Sequence, residues 1–200
     1  MNNHTETEVK LYCPDLESVR QRLENARAEL VAPRVYEHNV RYENQDESLS
    51  EDGIAVRMRQ DTRARFTYKG PGKVNDGIMS RFEAEVEVSD FETMSLILEH
   101  LGYRPYMTYE KYRTTYELDG AEIVLDEMPF GNFVEIEGEA ATIERIITRL
   151  DLQDAERFGR SYTGLFELVK HNLDLEFRDL TFENFEDIQV PVSALQGGKA

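Results

Sequence analysis

In five stretches of this chain charged side chains recur two residues apart, and in two more a single charge falls on the same kind of alternating face, with mostly apolar or aromatic side chains at the positions between. In extended chain that spacing puts the charges on one face and the apolar residues on the other. Glu6, Glu8 and Lys10 oppose Val9 and Leu11, and Arg57 and Arg59 oppose Val56 and Met58. Lys69 shares a face with Thr67, while Phe66 and Tyr68 point away. Arg81, Glu83, Glu85 and Glu87 oppose Phe82, Ala84, Val86 and Val88. Lys111 and Arg113 flank Tyr112, Asp126 shares a face with Val124, and Glu135 and Glu137 oppose Val134 and Ile136. On one strand such alternation describes the wet side of an open sheet. Seven strands with paired Arg, paired Glu and almost no Ser, Thr or Gln point instead to a closed sheet. Closure removes the edges and turns the charged face into a polar lumen.

The rest of the chain fits an α+β organisation. Strands are expected at 5–11, 34–42, 54–60, 63–69, 80–88, 107–117, 121–126 and 132–137. Helices are expected at 14–30, 90–101, 142–150 and 161–173, and 43–53 reads as an acidic loop. Gly70-Pro71-Gly72 and Asn75-Asp76-Gly77 read as turns, and Asp119-Gly120 as a hairpin. The expected fold is a closed eight-stranded antiparallel β-barrel with peripheral helices, formed by residues 1–173. Residues 174–200 are expected to be a tail, partly packed, with a disordered tip at Gln196-Gly197-Gly198-Lys199-Ala200. The stripe Phe91, Met94, Leu98 and Leu101 reads as core, and so does Tyr162 with the helix after it.

Charge narrows the partners. The chain has 23 Lys and Arg against 40 Asp and Glu, a net charge of −17, so nucleic acid is not an expected partner. Any bound anion needs basic groups concentrated locally. The single Cys13 excludes an internal disulfide and suits a reducing compartment. No apolar run approaches the ~20 residues of a membrane span, so a cytoplasmic protein without membrane association is expected. On the alternating faces, Glu6, Glu8, Glu83, Glu85, Asp126, Glu135 and Glu137 stand against Lys10, Arg57, Arg59, Lys69, Arg81, Lys111 and Arg113. A partly dehydrated lumen tolerates such a set only near neutrality. Carboxylates suit magnesium or manganese, and Arg forks grip phosphate oxygens. Together they suggest phosphoryl or nucleotidyl transfer.

Glu6-Thr7-Glu8-Val9-Lys10 resembles the Glu-x-Glu-x-Lys signature of the CYTH superfamily, the triphosphate tunnel metalloenzymes. Further matches follow in order: Val56-Arg57-Met58-Arg59, Tyr68-Lys69-Gly70-Pro71-Gly72 and Arg81-Phe82-Glu83-Ala84-Glu85. Then come Glu110-Lys111-Tyr112-Arg113, Leu125-Asp126-Glu127, the stretch from Gly131 to Gly138, and Arg160-Ser161-Tyr162. The resemblance covers residues 5 to about 170. It implies that Lys10, Arg57, Arg59, Lys69, Arg81, Lys111 and Arg113 contact phosphate, with Arg160 at the tunnel mouth. It also implies that Glu6, Glu8, Glu135 and Glu137 ligate magnesium or manganese, with Glu83 and Asp126 assisting. Lys10 is the candidate for a catalytic role; as a base it would need a depressed pKa, which its acidic neighbours oppose.

The superfamily contains class IV adenylyl cyclases, thiamine triphosphatases and inorganic triphosphatases. Lys69-Gly70-Pro71-Gly72, Glu110-Lys111-Tyr112-Arg113 and Arg160-Ser161-Tyr162 look closest to the cyclase branch, which converts ATP to cyclic AMP and pyrophosphate. Hydrolysis of tripolyphosphate, thiamine triphosphate or a nucleoside triphosphate uses the same residues and makes fewer demands. No segment reads as an adenine pocket. A non-catalytic polyphosphate-binding module is the reading from another class, and the presence of all four metal-binding Glu counts against it. The aromatic, acidic segment 177–185 has two readings, a cover for the barrel's end or a contact with a partner subunit in a homodimer.

Overall fold

The computed structural model describes residues 4–197. The chain runs β1 (Thr5–Tyr12), α1 (Leu16–Asn25), β2 (Glu29–Glu43), α2 (Ser48–Glu51), β3 (Ala55–Gln60), β4 (Ala64–Lys69) and β5 (Lys73–Asn75). It continues with β6 (Ile78–Val88), α3 (Phe91–His100), β7 (Arg104–Leu118), β8 (Ala121–Met128), β9 (Gly131–Glu137), α4 (Ala140–Arg149) and α5 (Tyr162–Leu173). Two 3-10 turns, Glu183–Phe185 and Val192–Leu195, follow in the tail. The sheet order is β1-β9-β8-β7-β2-β3-β4-β6, and β6 pairs back onto β1, so eight antiparallel strands close into the expected barrel. No described helix is long and apolar enough to cross a membrane.

The barrel is packed on the outside. The outward residues of β1, β8 and β9, among them Val9, Leu11, Ile123, Val134 and Ile136, are buried under Val19 and Leu23 of α1 and Ile143, Ile146 and Ile147 of α4. A second cluster joins Phe130 and Phe133 to Leu165, Phe166 and Val169 of α5 and to Leu180, Phe185 and Leu195 of the tail. A third sets Leu98 of α3 with Val40, Tyr42, Val56 and Met58 of β2 and β3. Each such side chain contributes about 1.5–3 kcal/mol by leaving water. The core therefore lies between helices and the outer sheet face, and the lumen is free to be polar.

Several boundaries differ from the sequence expectations. The first helix stops at Asn25, because Arg27 takes a left-handed conformation (φ 60°) and Ala28 turns back to hydrogen-bond Leu23 O. The chain then enters β2 at Glu29 and runs through Pro33, where the pairing with β7 is irregular and no third strand needs the missing N–H. Segment 43–53 contains the one-turn α2, held because buried Glu43 accepts from Leu49 N and Ser50 N. A ninth strand, β5, hangs on β6 through an Asp76-Gly77 hairpin with both φ positive. Leu180 bridges to Tyr109, so the tail packs on its own barrel, and residues 198–200 of the expected disordered tip lie outside the described residues.

Candidate functional site

Closure gathers the charged faces around one cavity of about 560 Å3. Lys10, Arg57, Arg59, Lys69, Arg81, Lys111 and Arg113 all line it, and so do Glu6, Glu8, Glu83, Glu85, Glu135 and Glu137. Asp126 lies behind the lining with no exposed surface. It accepts from Arg113 Nε (2.7 Å) and Nη2 (2.5 Å), from Lys111 Nζ (3.1 Å) and from the Tyr162 hydroxyl (2.8 Å). Its oxygens are thus occupied in positioning bases. Arg160 is exposed and is not among the lining residues, although Ser161 and Thr163 beside it are.

The lumen holds its bases in place with acids. Lys10 Nζ lies 2.6 Å from Glu135, whose other oxygen takes Arg113 Nη2 at 2.6 Å. Arg59 reaches Glu37 (3.4 Å) and Glu85 (3.0 Å), and Lys111 spans Glu37 (3.5 Å) and Asp126. Lys69 lies between Glu6 and Glu83, both at 2.8 Å, while Arg81 reaches Glu6 (2.8 Å) and Glu8 (3.4 Å). Burial opposes charge on Lys10, yet Glu135 and Glu8 outweigh it and raise the pKa. Lys10 therefore stays an ammonium, suited to neutralising phosphate charge rather than to abstracting a proton. Burial likewise opposes charge on Glu37, but Lys111, Arg113, Arg59 and Arg57 hold it well below the usual carboxylate range.

Sequence reasoning missed Glu37, Arg41, Tyr109 and Tyr162. Glu37 and Arg41 sit on β2, and the two-residue spacing 37, 39, 41 carried the same signal as the other strands. Tyr109 follows that spacing too, two residues before Lys111, and its hydroxyl accepts from Arg57 at 3.0 Å. Tyr162, read from sequence as core, does pack in the α5 cluster. Its ring also lies 4.4 Å under Lys10 Nζ, and it lines the cavity. Only the tertiary placement of α5 over the barrel end reveals that second role.

Acids crowd one region. Glu8 pairs in register with Glu137 and Glu137 with Glu122, while Glu6 and Glu83 face each other across Lys69. Burial and then repulsion from Glu6, Glu122, Glu8 and Glu83 push the Glu137 carboxyl up to about 7. Glu83 is also raised, whereas Lys69 and Arg81 overcome burial to hold Glu6 at about 2. Hard carboxylate oxygens crowded against one another fit a divalent magnesium-like cation, whose charge would relieve the repulsion. Among the described residues no three acidic, His or Cys side chains converge on one point. Glu6, Glu8, Glu83 and Glu135 lean toward Lys and Arg instead.

A model of the CYTH domain matches residues 4–160. An archaeal protein from Methanocaldococcus jannaschii with a provisional adenylate cyclase name is 27% identical over 140 residues, covering 69% of this chain and 79% of that one. Among solved structures, a provisionally named adenylate cyclase from Vibrio parahaemolyticus superposes with a TM-score of 0.73 at 19% identity, covering 83% of this chain and 99% of that one. A protein from Hippeastrum, provisionally named an adenylyl cyclase and described as having a dominant triphosphatase activity, gives 0.62 at 19% identity, over 81% and 95% of the two chains. The likeness of these two structures is one of fold, and the family assignment comes from the match to residues 4–160: this chain belongs to the CYTH family.

Proposed function

We propose that the protein is a divalent-metal-dependent enzyme that holds a triphosphate in the barrel lumen and cleaves one of its phosphoanhydride bonds. CYTH tunnel enzymes take triphosphate substrates and depend on divalent metals. The observation that carries the reading is the lumen itself, where fixed Arg and Lys side chains run beside a crowded carboxylate end. Arg57, Arg59, Lys111 and Arg113 would bind and align the phosphates, with Glu37 and Asp126 keeping them oriented. Glu6, Glu8, Glu83, Glu135 and Glu137 supply the carboxylates that would hold the metal. A bound magnesium or manganese ion would supply charge neutralisation on phosphate oxygens. Lys10, fixed between Glu135 and the Tyr162 ring, would stabilise charge that develops as the bond breaks.

Within this reading, the motif matches and the M. jannaschii relative's name favour class IV adenylyl cyclase chemistry, ATP to cyclic AMP and pyrophosphate. One observation favours a triphosphatase instead. The cavity has two aromatic lining residues, Tyr109 and Tyr162; both are buried, Arg57 donates to the hydroxyl of the first, and Lys10 lies over the ring of the second. Buried to this extent, neither ring offers an exposed face on which to stack an adenine. A product assay separates the two. Incubation of ATP with magnesium or manganese should yield cyclic AMP and pyrophosphate in equal amounts. Orthophosphate alone, released faster from tripolyphosphate than from ATP, would assign a triphosphatase.

A further inference from the structure

Every lysine and arginine lining the cavity faces a carboxylate except one. Arg41, on β2, forms no ion pair among the described residues. Its guanidinium donates to Thr163 Oγ1 (2.9 Å), Ser50 Oγ (3.2 Å) and Ile54 O (3.2 Å), all neutral oxygens. Glu43 stands near, but its carboxylate is occupied by Leu49 N, Ser50 N and the Ser50 hydroxyl. The register sets Arg41 opposite Arg57, a like charge. Burial holds Arg41 below the ordinary arginine range against help from Tyr109, Glu43 and Tyr106, and Arg57 adds a smaller push in the same direction as burial. A half-buried cation with only neutral partners lacks what its environment elsewhere in the lumen supplies, a negative charge.

The surroundings fit an anion. Thr163 presents a hydroxyl that accepts from Arg41 and has a proton of its own to donate, whereas the Ser50 hydroxyl gives its proton to Glu43 and holds Arg41 only as an acceptor. Thr163 lies in the first turn of α5, a 12-residue helix capped by Ser161, where backbone N–H groups favour negative charge. Asn39 precedes Arg41 by two residues on the same strand face, has no exposed surface, and neither of its side-chain polar atoms has a partner among the described residues. The carboxylates of Glu83, Glu122 and Glu137 crowd a different region of the lumen, around the β1, β6, β8 and β9 strands. In a polyphosphate an unesterified terminal phosphoryl group carries more charge than an internal one. The chain should therefore lie with that terminus at the most cationic, least compensated end.

We propose that Arg41, held in place by Ser50, forms with Thr163 a subsite that reads the unesterified terminal phosphoryl group of the substrate and so sets which way the substrate lies in the tunnel. This rests on the triphosphate reading above and adds a specificity-determining residue to it. The test is calorimetric titration in magnesium with imido-bridged, cleavage-resistant analogues of tripolyphosphate, ATP and diadenosine triphosphate, the last esterified at both ends. The unaltered chain should bind the first two at least 10-fold more tightly than the third, the range of one charged hydrogen bond. Arg41→Gln should weaken the first two by roughly 10- to 100-fold and leave the third unchanged. Arg41→Lys, which keeps the charge without the fork, should fall between them; it also serves if the Gln variant does not fold. Equal losses for all three ligands would show that Arg41 only latches α2 to α5, and would overturn the subsite. No effect on any ligand would overturn it too. If the unaltered chain binds none of the three, the triphosphate reading itself falls, and the subsite with it.

Discussion

The two sides of the lumen obey the same alternation rule and arrive at opposite electrostatics. Where β2, β3 and β7 meet, Arg57, Arg59, Lys111 and Arg113 outnumber Glu37, and their charge is shared by Glu85, Asp126 and Glu135 reaching from neighbouring strands. Where β1, β9, β8 and β6 meet, Glu137 is surrounded by Glu6, Glu8, Glu83 and Glu122 and has no cation of its own among the described residues. With Arg41 of β2 left on neutral partners and Glu137 left without a cation, a single tunnel has one wall short of negative charge and another short of positive charge. The lesson is that overall neutrality of a lumen says little; the separation of its signs tells what it is built to receive, an anion along one wall and a cation beside the other.

Removing the cation should have the largest effect. In excess chelator turnover should drop to background and return on adding magnesium or manganese; full turnover in chelator would break the assignment of the acidic wall. Next comes the basic wall. Replacing Arg57 and Arg59 together by Ala should weaken tripolyphosphate binding by about 3–6 kcal/mol, at ~1.5–3 per charged hydrogen bond. Calorimetry checks this, and an unchanged dissociation constant would mean that phosphate lies elsewhere. Asp126→Asn sharpens the comparison from behind the wall. It leaves Arg113 and Lys111 without their buried counter-charge, so the chain should lose about 3 kcal/mol of unfolding free energy. Denaturant unfolding measures the loss, and a change under 1 kcal/mol would show that Glu37 and Glu135 suffice to hold both bases.

The basic and acidic walls were not equally legible in the sequence. The closed barrel followed from seven alternating segments, because a period of two survives any change in strand boundary. The acids on β1, β6 and β9 stood out for the same reason. On β2 the spacing of Glu37, Asn39 and Arg41 was present, but Asn39 interrupts the charges and Pro33 suggested a later start to the strand. Left-handed Arg27, which ends α1 and frees 29–33 to extend β2, has no local sequence signal, since Arg is not a residue that favours positive φ. Tyr162 shows the other limit. An aromatic at the start of an amphipathic helix reads as core, and only the docking of α5 on the barrel end turns its ring toward Lys10.

The smallest predicted effect tests the acidic wall without any substrate. Glu137 ionises at about 7 in the folded chain against 4.5 ordinarily, so between those values the folded state binds more protons than the unfolded one. Stability then falls as pH rises through this window, the reverse of a carboxylate held by a salt bridge. The carboxyl sits where solvent reaches it, which screens the repulsion and limits the loss to about 1 kcal/mol. Glu137→Gln should remove that loss, giving a variant equal to the parent near pH 4.5 and more stable above pH 7 in chelator, as followed by thermal unfolding across pH. Magnesium should stabilise the parent above pH 7 and the Gln variant less, because the cation and the amide relieve the same repulsion. A variant with the parent's pH profile would show that the crowding of Glu137 by Glu6, Glu8, Glu83 and Glu122 carries no cost, and that the acidic wall needs no cation to be stable.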